Sequence, residues 1–117
     1  MRILFDKNVP VGVRRFSGGH EVRTIVEMQW SPQLENGALL KAAELAAFDV
    51  LLTCDQNIGH QQNPRGRRLA LVVLGSNIWP IARKYGQEIS TLANAAKVGS
   101  HAFIEMPVHR KPRTRRT

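Results

Sequence analysis

Asp6 and Asp55 each stand where an apolar run of strand length gives way to polar chain. Ile3-Leu4-Phe5 runs into Asp6-Lys7-Asn8, and Val50-Leu51-Leu52 runs into Thr53-Cys54-Asp55-Gln56-Asn57. Both ends read Asp-x-Asn. Carboxylates that converge in a crevice suit a hard divalent cation, Mg2+ or Mn2+, which takes oxygen ligands and keeps several waters. A cation so held polarises a phosphodiester and activates water. The same residues have a plainer use, because Asp is favoured at helix N-caps. Spacing alone leaves both readings open. Convergence requires that the two strands lie side by side and parallel.

The elements around these runs supply that arrangement. Residues 2–5 read as a first strand, and Pro10 opens a helix continued to Phe16 and stopped by Ser17-Gly18-Gly19. Alternation over residues 21–26 predicts a second strand. A loop around Trp30 and Pro32 leads to Asn36, the expected N-cap of a helix over 37–47. The third strand spans 50–54. Residues 55–68 are polar, with a short helix after Asp55. Residues 69–74 form a fourth strand, 80–96 the longest helix, and 102–105 a last strand at an edge, because Pro107 follows. Gly86 inside the longest helix is expected to cost up to ~1 kcal/mol. Strands alternating with helices predict an α/β fold with a mainly parallel central sheet of about five strands and helices on both faces. The first and third strands are expected to be neighbours. In open sheets of this kind the functional crevice lies outside the carboxyl ends of the strands.

The chain of 117 residues has the length of one domain, residues 1–108, followed by a tail. Its net charge is +8, and Arg110, Lys111, Arg113, Arg115 and Arg116 supply five of those charges. Removing them leaves +3 on the body. A basic tail over 109–117 is expected to be flexible and to favour nucleic acid or an acidic protein. No apolar run approaches the ~20 residues of a membrane span. The chain begins without a signal-peptide pattern and has one cysteine, so a reducing cytoplasm is expected.

Other residues carry weaker signals. Cys54 next to Asp55 invites comparison with a nucleophile, but no histidine is paired with it in sequence, and Cys is often simply buried. His20 enters a strand and reads as structural, whereas His60 lies in the polar loop. Arg65, Arg67 and Arg68 are candidates for RNA phosphates if their loop borders the crevice, and otherwise are solvated charges. Ser76 and Asn77 end the fourth strand and either line the crevice or cap the next helix. Trp30 and Trp79 sit beside prolines as core anchors or, for Trp30, as a partner contact.

Residues 1–107 resemble the short PIN-like domains, a compact branch of the PIN nuclease superfamily that includes VapC-type toxins. The matching stretches are Arg2 to Pro10, Gly19-His20-Glu21-Val22-Arg23-Thr24, and Leu51 to Asn57. The resemblance implies a PIN-like fold, metal-dependent ribonuclease activity with Mg2+ or Mn2+, and a toxin–antitoxin pairing. RNA and an antitoxin protein are the implied partners, with a homodimer as a further arrangement. Asp6 matches the family's first acid, Asp55 its acid after the Thr-x pair, and Thr53 the hydroxyl residue beside them. The acid that opens the family's next helix falls on Asn36, with Glu35 adjacent. A further acid falls on Asn57. Asp6 and Asp55 are therefore the implied metal ligands, Glu35 a third catalytic candidate, and Asn8, Asn36, Thr53 and Asn57 supporting residues. A site with two firm acids implies weaker metal affinity than one with four. A PIN-like binding module without catalysis is the alternative. A phosphoacceptor receiver domain ranks third, because it needs an acidic pair after the first strand and a lysine after the last, where this chain has Asp6-Lys7 and Glu105-Met106-Pro107.

Overall fold

Apolar runs buried on both faces build the centre of the molecule. A computed structural model describes residues 1–58 and 67–107. Five strands are present: β1 (Arg2–Phe5), β2 (Glu21–Thr24), β3 (Val50–Thr53), β4 (Ala70–Leu74) and β5 (His101–Ile104). They form one sheet of order β2-β1-β3-β4-β5, parallel at every pairing. The fold is α/β, as expected, and β1 and β3 are neighbours. Every residue of β3 and β4 is buried. β5 stands at an edge and has one buried position, Ile104.

Side chains alternate across the sheet and feed two cores. Ile3, Phe5, Val50, Leu52, Val72 and Leu74 point to one face, under a 3-10 helix over Val11–Phe16 and the helices α2 (Trp79–Ala82) and α3 (Gly86–Ala95). Leu4, Leu51, Leu71 and Val73 point to the other, under α1 (Asn36–Leu45) and the packed loop residues Met28, Trp30 and Leu34. Trp30 meets Phe48 edge-on at 6.3 Å, so it anchors this second core. The helices thus cover both faces.

Several element boundaries differ from the sequence expectation. β2 ends at Thr24 rather than residue 26. Thr24 and Glu27 form a reciprocal pair: Thr24 N–H donates to Glu27 Oε1 at 3.0 Å, and Glu27 N–H donates to Thr24 Oγ1 at 3.1 Å. This capping box turns the chain out of the sheet. Arg14 adds a 2.6 Å ion pair that, with the Thr24 bond, holds the Glu27 carboxyl below its ordinary range. The stretch after Pro10 is a 3-10 helix and not an α-helix; Val11, Gly12 and Val13 are poor helix formers.

Asn36 is not an N-cap. Glu35 holds that position in extended backbone, and Asn36 is the first helical residue, at φ +56°. Asn tolerates this left-handed conformation better than most residues. The expected helix over 80–96 is broken into α2, a 3-10 turn over Arg83–Tyr85, and α3. Gly86 starts α3 because the Phe16 ring occupies the space a Cβ would need. After Asp55 the chain turns at Gln56 and Asn57; the rest of the expected helix there, with His60, Arg65 and the tail over 109–117, lies outside the described residues. Among the described residues no helix is long and apolar enough to cross a membrane.

Candidate functional site

The strand order has its switch point between β1 and β3, because the chain passes from β1 outward to β2 on one side and from β3 outward to β4 on the other. A crevice outside the carboxyl ends at such a point is the general ligand site of doubly wound sheets. Asp6 directly follows β1 and Thr53 ends β3. The Asp6 N–H donates to Leu52 O at 2.9 Å, which carries the strand pairing one residue further. Asp6 is 7 % exposed and Thr53 is fully buried.

The carboxylate of Asp6 is held from two sides. Lys7 N–H donates to its Oδ1 and Thr53 Oγ1 to its Oδ2, both at 2.7 Å. Thr53 Oγ1 in turn accepts the Asp55 N–H at 3.1 Å. One buried hydroxyl therefore joins Asp6 to the Asp55 backbone. The Asp55 carboxylate turns back on its own chain, where Oδ1 accepts Asn57 N–H at 3.0 Å. The two carboxylates are therefore used differently. Asp55 closes an Asx turn, as a capping residue does, whereas Asp6 reaches across to the neighbouring strand.

The two Asp-x-Asn ends are chemically unequal. Asn8 Oδ1 accepts Cys54 N–H at 3.0 Å and so clasps the two strand ends together. Asn57 is exposed, and its backbone rather than its side chain bonds Asp55. Beyond them the chain is tied to the end of β4. Cys54 Sγ donates to Ser76 O at 3.5 Å and Gln56 Nε2 to Gly75 O at 3.1 Å. Burial and the nearby Asp6 charge push the Cys54 thiol up to about 12. A thiol so protonated is no nucleophile at neutral pH. Ser76 Oγ accepts the Ile78 N–H and shapes the turn into α2.

The topology brings Glu35 and Asn36 to the same edge, because α1 starts there on its return path from β2. Glu35 is exposed and its carboxylate has no hydrogen bond among the described residues. Lys7 is an organiser that sequence reasoning passed over. Its Nζ donates to Pro32 O at 2.5 Å and ties the loop before α1 to the end of β1. Its position inside the Asp-Lys-Asn triplet was the available signal.

Arg67 and Arg68 do not join the crevice. They precede β4, so in a parallel sheet they stand at the opposite, amino edge. There Glu44 of α1 takes an Arg67 ion pair at 2.7 Å and the Arg68 N–H at 2.9 Å. Arg65, in the same stretch, is outside the described residues.

Asp6, Asp55, Thr53 and Asn57 are oxygen donors, the ligand type that Mg2+ and Mn2+ take. A carboxylate offers about four acceptor positions. Among the described residues Asp6 uses two, for Lys7 and Thr53, and Asp55 one, for Asn57. The carboxylates of Asp6 and Asp55 thus keep acceptor positions of the kind such a cation takes, whereas the Thr53 hydroxyl is already engaged by both. Among the described residues no group of three or more His, Cys, Asp or Glu is placed to hold a metal. No protein-family model, curated protein or solved structure matches this chain.

Proposed function

We propose that this chain is a PIN-like endoribonuclease that requires Mg2+ or Mn2+ and acts in the cytoplasm as the toxin of a toxin–antitoxin pair. The observation that carries the reading is the linked set Asp6–Thr53–Asp55 at the carboxyl ends of two adjacent parallel strands. Asp6 and Asp55 would hold the cation, which when bound polarises a phosphodiester and lowers the pKa of water. Thr53 orients the Asp6 carboxylate, and Asn8 keeps the two strand ends in register. RNA would be the substrate and a small antitoxin protein the partner.

One observation favours a second reading, a PIN-like module that binds RNA or protein without cutting. Glu35 is exposed, and Asn36 and Asn57 add no charge, so the carboxylate supply rests on Asp6 and Asp55. A cleavage assay on mixed RNA, with a metal titration and an EDTA control, separates the two. Asp6→Asn and Asp55→Asn should each abolish EDTA-sensitive cleavage, and Glu35→Gln should do less. Asn57→Asp should tighten metal binding if that side chain faces the crevice. Wild type that cuts nothing at millimolar Mn2+, with no gain in Asn57→Asp, would overturn the enzyme reading in favour of the binding module.

A further inference from the structure

The face of the sheet that carries Asp6 and Thr53 continues outward across β4 to the edge strand. Thr53 pairs with Val73, and Val73 with Phe103, so the three side chains share one row and one face. At about 4.8 Å between strands, Phe103 stands about 10 Å from Thr53. Unlike the packed rings of Phe5 and Phe48, Phe103 is 49 % exposed. Its ring leans toward the carboxyl edge, with Cζ 3.4 Å from where a Cβ on Gly75 would stand. Gly75 is also the residue whose carbonyl accepts the Gln56 amide.

Beside them lies a half-open cavity of about 440 Å³ lined by Gln56, Asn57, Val73, His101 and Phe103. Gln56 and Asn57 directly follow Asp55, so the cavity adjoins the Asp6–Thr53–Asp55 set through the chain itself. Its lining combines an aromatic face, two side-chain amides and an imidazole. Single-stranded RNA is read by that combination, with unstacked bases lying on aromatic rings and bonded at their edges by amides. An amide offers both a donor and an acceptor, as a base edge does. The volume lies within the range of small-molecule sites.

We propose that this cavity is a nucleobase subsite for single-stranded RNA. In it Phe103 is the stacking platform, and Asn57 and Gln56 are the groups that read the base edge. The inference rests on RNA being the substrate but does not need the chain to cut it.

The test is binding of fluorescently labelled single-stranded RNA to the full chain in EDTA, by anisotropy, with oligomers of each base. Phe103→Ala should weaken binding roughly tenfold, the scale of one lost stacking contact, with the salt dependence unchanged. Phe103→Tyr should restore it. Asn57→Ala should change the ranking of the four oligomers more than their average affinity. Equal binding by wild type and Phe103→Ala, in variants with unchanged melting temperature, would overturn the subsite. So would a wild type that binds none of the oligomers. A weakening that comes with a flatter salt dependence would also overturn it, because that marks a lost phosphate contact. Phe103-dependent binding in a chain that cleaves nothing at millimolar Mn2+ would uphold the subsite and sink only the nuclease reading.

Discussion

Thr53 is the residue on which the candidate site depends most. Its hydroxyl is fully buried, donates to Asp6 and accepts from Asp55. Thr53→Val keeps the shape but leaves a buried carboxylate oxygen and an N–H each short of a partner. An unsatisfied buried group costs about 1–3 kcal/mol. Thr53→Val should therefore lower stability by about 2 kcal/mol or more in urea unfolding and impair any metal-dependent activity. Thr53→Ser should retain most of both. Cys54 beside it gives a second residue-level prediction. Its thiol is raised from an ordinary 9.0 to about 12, burial being the larger cause and Asp6 the smaller. The native state therefore holds its proton more tightly than the unfolded state. This contribution to stability is fully present below pH 9 and is lost as pH rises toward 12. Alkylation at pH 8 should be slow in the native protein and fast in urea. Fast native alkylation would show the thiol to be open.

At the scale of elements, two positions reverse what local propensity implies. Gly86 begins α3, where replacing Gly by Ala in a helix ordinarily gains up to ~1 kcal/mol. Here the Phe16 ring fills the space, and Phe16 itself stacks on Trp79 with centroids 5.9 Å apart. Gly86→Ala should thus destabilise, by about 1–3 kcal/mol as for other overpacked sites. The effect would appear as a lower melting temperature. Ala47 is the opposite case. It ends α1 at φ +65°, with Ala47 N–H bonded to Glu44 O and Phe48 N–H to Ala43 O. This is a Schellman ending with alanine where glycine is usual. A left-handed conformation costs a non-glycine residue about 1–2 kcal/mol, partly offset by the backbone entropy of glycine. Ala47→Gly should raise stability by about 0.5–1 kcal/mol. An unchanged or lower melting temperature would count against this backbone assignment.

For the molecule as a whole, the two edges of the sheet do different work. At the amino edge charge is balanced locally. Arg2 pairs with Glu21, donates its N–H to Asp49 and lies 4.3 Å over the Phe48 ring, while Arg67 pairs with Glu44. At the carboxyl edge the polar groups are instead gathered around Asp6, Thr53 and Asp55, and three strand ends are cross-linked there by side chains. Asn8 bonds Cys54, Cys54 bonds Ser76, and Gln56 bonds Gly75. Functional constellations need such support, because a side chain held by neighbours keeps its geometry without reorganising. The asymmetry also explains why basic residues before β4 fall away from the crevice. Parallel strands put everything that enters them on one edge and everything that leaves on the other.

Much of the framework was legible in local pattern. Continuous apolar runs announced β3 and β4, because strands buried on both faces must be apolar at every position. The alternation of strands and helices predicted the parallel sheet, and Asp6 and Asp55 read correctly as strand-end residues. The end of β2 was not read: the alternation continues to Val26, but the Thr24–Glu27 pair turns the chain out at Thr24. Partner choice was not legible. That Asp6 bonds Thr53, Asn8 clasps Cys54 and Arg67 joins Glu44 depends on contacts 47, 46 and 23 residues apart in the chain. The exposure of Phe103 and the close seat of Phe16 on Gly86 likewise follow from sheet order and helix placement. Hydrophobic period reports which face of an element is buried, but not which element lies opposite. Sheet order and register settle that, and they exist only once the chain has folded.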